Sequence, residues 1–196
     1  MTNRVLVTDV TGRPVNTTSW QRAVTLLTLK DAQLIEKDGD KFIRTPNLII
    51  PRPLIIQTQG YVALKPLPDN KIVRRVLYAR DNWQCQYCFK DINMKTGTID
   101  HVKPKVAFIR EGRKASDAHT WDNVVTCCSS CNTKKGDKLP YQCNMHLSKA
   151  PKKPSFVQTL WAGKSFHPIQ AEYIAMYHPK EIDISQLVVV GDKSTA

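Results

Sequence analysis

Long hydrophobic runs are missing from this chain. No stretch of roughly 18 consecutive apolar residues occurs, the length that a membrane-spanning helix needs, so no span is expected. Residues 1–10 contain Arg4 and Asp9 and lack the apolar centre of a secretory leader, so the expected location is cytoplasmic. Cysteine is scarce, six in 196 residues, and four of the six stand in Cys-x-x-Cys pairs. That usage fits a reducing compartment better than the disulfide framework of a small secreted scaffold. Acidic residues are also in short supply. Seventeen Asp and Glu face 29 Lys and Arg, a formal net charge of +12. Such a balance favours a polyanionic partner, nucleic acid before an anionic membrane surface, although a merely soluble basic protein would carry it too.

What is present describes a globular protein. Apolar residues make up 41% and charged residues 23%, enough for an ordinary core in one domain with an extension. The informative stretch runs from Cys85 to Asn132. It opens with Cys85-Gln86-Tyr87-Cys88 and closes with Cys128-Ser129-Ser130-Cys131-Asn132. Each Cys-x-x-Cys pair can place two thiolates on one ion, and two pairs complete a tetrahedral zinc site that joins distant parts of the chain. Cys127 and Cys143 remain over as buried thiols. Cys127 is a poor substitute ligand, because its spacing to Cys131 does not make a knuckle.

Between the pairs lie Asp100-His101 and Asn123. A helix that starts near Ser129 puts Cys128 and Asn132 on one face, so the metal would fix where Asn132 emerges. The arrangement Cys85, Cys88, Asp100, His101, Asn123, Cys128, Cys131, Asn132, Lys135, Gly136 resembles the HNH endonucleases. The resemblance implies an α+β protein with a ββα-metal core stapled by the four-cysteine zinc site. It implies hydrolysis of DNA phosphodiester bonds to 5′-phosphate and 3′-hydroxyl ends. His101 would be the general base, Asp100 and Asn132 the ligands of a catalytic Mg²⁺ or Mn²⁺, and Asn123 the residue that orients the histidine. The residue types agree with this division. Neutral imidazole accepts a proton near pH 7, and carboxylate and amide oxygens suit a hard divalent ion. A zinc-stapled nucleic-acid-binding module without catalysis, and a nuclease acting on RNA, are the alternatives. A homodimer or a larger DNA-processing complex in a bacterial or phage-infected cell is the expected setting.

The rest of the chain reads as follows. Residues 4–9 form a strand, 11–14 a turn, and Ser19 caps a helix over 20–28. Asp38-Gly39 signals a hairpin between 34–36 and 41–43. Residues 48–50, among Pro46, Pro51 and Pro53, form an edge or short extended piece, and 54–56 a further strand. With Asn16 and Trp20-x-x-Ala23-Val24, this part resembles the N-terminal extension of many bacterial HNH proteins. It is a small α+β module over 1–68. The nuclease domain spans 69–155, and a helical extension over 156–196 docks on the core, with Trp161, Phe166, Ile169, Tyr173, Ile174 and Tyr177.

Within the nuclease domain, Asp69 or Asn70 caps a helix over 71–81. Its Lys71, Arg74, Arg75 and Tyr78 make a stripe that either contacts phosphate or is merely solvated. Thr98–His101 is a strand, and neighbours on a strand face opposite ways, so Asp100 and His101 share a site only if the strand breaks or twists. Residues 103–120 form a long basic loop where many family members have a short Gly-rich one. From Lys103 to Lys153 eleven basic residues face four acidic ones, so more than half of the net charge lies around the motif. Arg74, Arg75, Lys103, Lys134 and Lys135 are the candidate phosphate contacts. His119, His146, His167 and His178 fit no motif position, and of these His119 and His146 are the ones expected to reach the site. Trp83 and Trp121 are expected around the zinc knuckles.

Overall fold

The computed structural model describes residues 4–45, 48–64, 71–147, 149–180, 182, 184 and 187–190. In chain order the elements are β1 (Arg4–Thr8), β2 (Pro14–Ser19), α1 (Trp20–Thr28), β3 (Ala32–Thr45), β4 (Leu48–Thr58), α2 (Arg74–Arg80) and β5 (Gly97–His101). There follow α3 (Lys105–Arg110), β6 (Val124–Cys128), α4 (Ser129–Lys135), α5 (Phe156–Trp161), β7 (Ser165–Phe166), α6 (Pro168–Tyr177) and β8 (Val188–Val189). Short 3₁₀ turns cover Ala115–Ala118 and Pro140–Cys143. These elements fall into two units, residues 1–65 with 164–196, and residues 66–163. The extension expected over 156–196 is thereby divided, α5 going with the second unit and α6 with the first.

The first unit is a four-stranded sheet in the order β2-β1-β4-β3. Ser19 accepts from the Arg22 amide and starts α1, as its residue type suggests. α1 buries Ala23 against Val5, Ala32 and Ile56. The hairpin expected at Asp38-Gly39 is not there. β3 runs straight through, and residues 38–41 bulge out opposite Arg52 alone, with Gly39 at φ +53°. The buried Asp38 carboxylate anchors the bulge, 3.3 Å from Lys41 and 3.5 Å from Arg52. β4 is likewise one strand rather than two pieces. Pro51 and Pro53 lie in the half of β4 that pairs with β3 alone, since β1 pairs only with 55–57. A proline there costs no ladder bond on the unpaired side. Gln170 of α6 is fully buried and donates to the carbonyls of Arg4 and Leu54.

The second unit is built on β5, β6 and α4. β5 and β6 pair antiparallel from Gly97↔Cys128 to His101↔Val124, and α4 follows β6 directly. Gly136 ends α4 at φ +51°, a conformation open to glycine. α2 is shorter than expected. Its N-cap position is Val73, which makes no side-chain cap, and Asp69 and Asn70 lie outside the described residues. Val76 and Leu77 pack on Trp121 and Val124. Trp121 therefore supports α2 and not the cysteines, while Trp83 packs where expected, on the cysteine core. At the end of α2, Asp81 is buried and accepts from the amide and hydroxyl of Thr126 at 2.7 and 3.0 Å. Arg80 clamps the same corner, donating to the carbonyls of Trp121 and Val124. Residues 103–120 are not a loop. Pro104 starts α3, Phe108 is buried, and the cations of Lys103 and Arg113 lie 4.9 and 4.5 Å from its ring. Six residues are too few for helical periodicity to show in the sequence.

Candidate active site

The cysteine centre sits at one end of the β5–β6 pair. Cys85 and Cys88 come from the turn after α2, Cys128 closes β6 and Cys131 lies in α4. The amide of Gln86 donates to the Thr126 carbonyl at 3.0 Å, which ties the first pair to β6. All six cysteines are free thiols, which disposes of the disulfide alternative. The sulfurs of Cys85, Cys88, Cys128 and Cys131 lie within 4.8 Å of one another, with Cys88 and Cys128 at 3.8 Å. A tetrahedral ion with Zn–S bonds of about 2.3 Å has sulfur–sulfur edges of about 3.8 Å, so the donor set and its spacing fit zinc. Cys127 is outside the cluster. It is buried, its sulfur is 3.2 Å from Thr98 Oγ1, and burial pushes its thiol up to about 12.

The side chains of β5 carry the chemistry. Thr98 and Asp100 face α4. Asn132 donates its amide nitrogen to Thr98 Oγ1 at 3.1 Å. Asp100 is buried, and its two oxygens take different donors, Lys135 Nζ at 3.0 Å and the Tyr87 hydroxyl at 2.6 Å. Tyr87 stands between Cys85 and Cys88, and burial together with the Asp100 carboxylate holds its hydroxyl protonated, well above the usual tyrosine range. No hydrogen bond joins the Asp100 and His101 side chains, but the Asp100 charge reaches the imidazole and opposes the lowering of its pKa. Lys135 links the two residues, since its Nζ also donates to the His101 carbonyl at 2.7 Å.

This corrects the role given to Lys135. Its side chain is fully buried and ion-paired, out of reach of a nucleic-acid backbone. Lys134, one residue earlier, is exposed. Other expected phosphate contacts are also engaged within the fold. Arg74 donates to the Tyr78 hydroxyl and to the carbonyls of Met94 and Gly97. Arg75 donates to the Gly163 carbonyl. Lys103 pairs with Glu111 at 2.6 Å.

His101 is half-buried at the end of β5. Burial, and then the charge of Lys105 and the His119 ring, lower its pKa, so the ring is neutral at pH 7. Its Nε2 lies 3.2 Å from Nδ1 of His119. No motif position points to His119, which is expected, with His146, as a histidine that could reach the site. Asn123 does not touch the imidazole. It accepts from the Lys103 amide at 2.8 Å and donates to the carbonyls of Lys103 and Ala118. It therefore holds the backbone just after His101 and just before His119.

Two antiparallel strands and a helix, with four thiols at one end of the pair and a neutral histidine at the other, define a ββα-metal unit. Two family models match the chain. HNH endonuclease matches residues 85–138, and HNH endonuclease-associated, N-terminal domain matches residues 5–66. Together they match more than half of the chain, which belongs to the HNH endonuclease family with an associated N-terminal domain. Comparison with curated proteins finds no match. An HNH domain implies a nucleic-acid substrate.

Proposed function

We propose that this protein is a metal-dependent endonuclease that hydrolyses DNA phosphodiester bonds, with His101 as general base. The observation that carries this reading is a neutral, half-exposed imidazole at the end of β5, inside the segment that matches the HNH family. His101 takes a proton from water, the water oxygen attacks phosphorus, and the 3′-oxygen leaves, with a 5′-phosphate as the other product. Asn123 holds the backbone just after the reacting imidazole and just before His119. Exposed Lys134 and Lys105 supply positive charge for the backbone.

Asp100 and Asn132 would hold a hard divalent ion, Mg²⁺ or Mn²⁺. Their chemistry suits it. The Asn132 contact to Thr98 uses the amide nitrogen and leaves the oxygen for a ligand bond. Each Asp100 oxygen takes one hydrogen bond here and has a second lone pair. Such an ion, when bound, neutralises charge on the phosphate and the leaving oxygen. Lys135 then competes with it for the same carboxylate.

The test is cleavage of supercoiled plasmid, single-stranded DNA and RNA by zinc-loaded protein with Mg²⁺, Mn²⁺ or EDTA. Nicked or linear plasmid should appear only with the divalent ion. His101→Ala should lower the rate by about 10²–10⁴ while keeping zinc and DNA binding. Scission of RNA alone would move the substrate from DNA to RNA. No scission of any substrate would leave a zinc-stapled binding module.

A further inference from the structure

The segment that departs from a short Gly-rich loop delivers a second imidazole to the first. We propose that His119 is a positioning residue for His101, accepting from the His101 Nε2–H and so leaving His101 Nδ1 as the bare nitrogen that takes the proton. This rests on the reading of His101 as the base.

Geometry and valence carry the argument. The two ring nitrogens are 3.2 Å apart, and the rings are tilted 51° with centroids at 5.4 Å. A neutral imidazole has one N–H and one bare nitrogen. In a contact between two neutral rings one nitrogen donates and the other accepts. If His101 Nε2 accepted, its single bare nitrogen would be consumed and no base would remain. It must donate, so Nδ1 is bare and His119 Nδ1 is the acceptor. His119 then carries its own proton on Nε2.

The His119 side chain is exposed, yet its backbone is well held. Ala118, just before it, is fully buried, and the Ala118 carbonyl accepts from Asn123 at 2.8 Å. The His119 amide donates to the Ser116 carbonyl at 3.0 Å. The Val102 amide, just after His101, donates to the Asn123 carbonyl at 2.8 Å. One asparagine thus anchors both histidine-bearing segments, which fits a contact built into the site better than a chance meeting of surface rings.

The experiment compares His119→Ala with His119→Asn, whose amide oxygen replaces the accepting Nδ1. His119→Ala should lower kcat by about 10-fold or more, short of the ~10²–10⁴ lost with the base itself, and leave KM for DNA unchanged. His119→Asn should recover most of the loss. Long-range ¹H–¹⁵N spectra of histidine-labelled protein, assigned with His101→Gln, give a readout independent of cleavage. His101 should be the Nε2–H tautomer in wild type, mixed in His119→Ala, and restored in His119→Asn. Wild-type kcat in His119→Ala beside an inactive His101→Ala overturns this proposal alone. So does an Nδ1–H tautomer in wild type, or a raised KM at unchanged kcat, which would make His119 a DNA contact. Wild-type activity in His101→Ala overturns the base reading and this proposal with it.

Discussion

Lys135→Met tests the centre of the site. The substitution keeps the length of the side chain and deletes its charge. The pair it breaks is almost dry, with 0% of the Lys135 and 7% of the Asp100 side chain exposed. Over 3.0 Å, at an effective dielectric constant of about 20, the attraction is of the order of 5 kcal/mol, and desolvation of both charges offsets much of it. The single variant forgoes the attraction and keeps the desolvated carboxylate. Its expected cost is about 3–5 kcal/mol. Urea unfolding followed by tryptophan fluorescence, with zinc held constant and no Mg²⁺, measures it as a lower midpoint at unchanged slope. Adding Asp100→Asn removes the stranded charge and should restore most of the stability, which a double-mutant cycle reads as coupling. Mg²⁺ should raise the midpoint of Lys135→Met more than that of wild type, because the ion then meets Asp100 without competition from the ammonium. A single variant within about 1 kcal/mol of wild type would refute the buried pair. Equal Mg²⁺ effects on the two proteins would refute Asp100 as a ligand of the ion.

Three further outcomes follow from other parts of the chain. Elemental analysis should find one zinc per chain, and Cys85→Ser or prolonged chelation should unfold residues 66–163 by circular dichroism; metal-free protein with an unchanged spectrum would contradict this. Gly97→Ala should destabilise by about 1–3 kcal/mol in the same urea assay, since a Cβ there would stand 2.7 Å from the fully buried Tyr78 ring; no change in midpoint would mean that the ring yields freely. Burial opposes the charge of Asp9, but the Thr11 hydroxyl and amide, the Arg13 amide and the Arg13 guanidinium outweigh it and hold the carboxyl below its ordinary value of 3.8. That contribution is complete above pH ~4 and is lost as pH falls through the lowered value. Acid titration of Asp9→Asn should accordingly show a shallower loss of stability below pH ~4 than wild type, and parallel curves would remove Asp9 from the account.

The amino-acid sequence determined whatever depends on local spacing. Two Cys-x-x-Cys pairs imply a common metal because each pair is a short turn with its own geometry. Ser19 and Gly136 mark helix ends because a cap is a contact within a few residues. The residues of Thr98–His101 foretold a strand, and one forms there. Tertiary structure alone decided what those residues meet. Lys135 looks like one more cation among the basic residues around the motif, and only burial between α4 and β5 makes it the partner of Asp100. Arg74 lies on a basic stripe in sequence, but carbonyls some 20 residues away take its donors. Asp38-Gly39 has the chemistry of a reversal, and the pairing of β3 with β4 makes it a bulge instead. His119 fits no spacing at all. It reaches His101 because Asn123 hydrogen-bonds the backbone beside each of them, across 20 residues on one side and 5 on the other. A contact made by chain reversal leaves no periodic trace, because the partners are chosen by what the fold brings near and not by their distance along the chain.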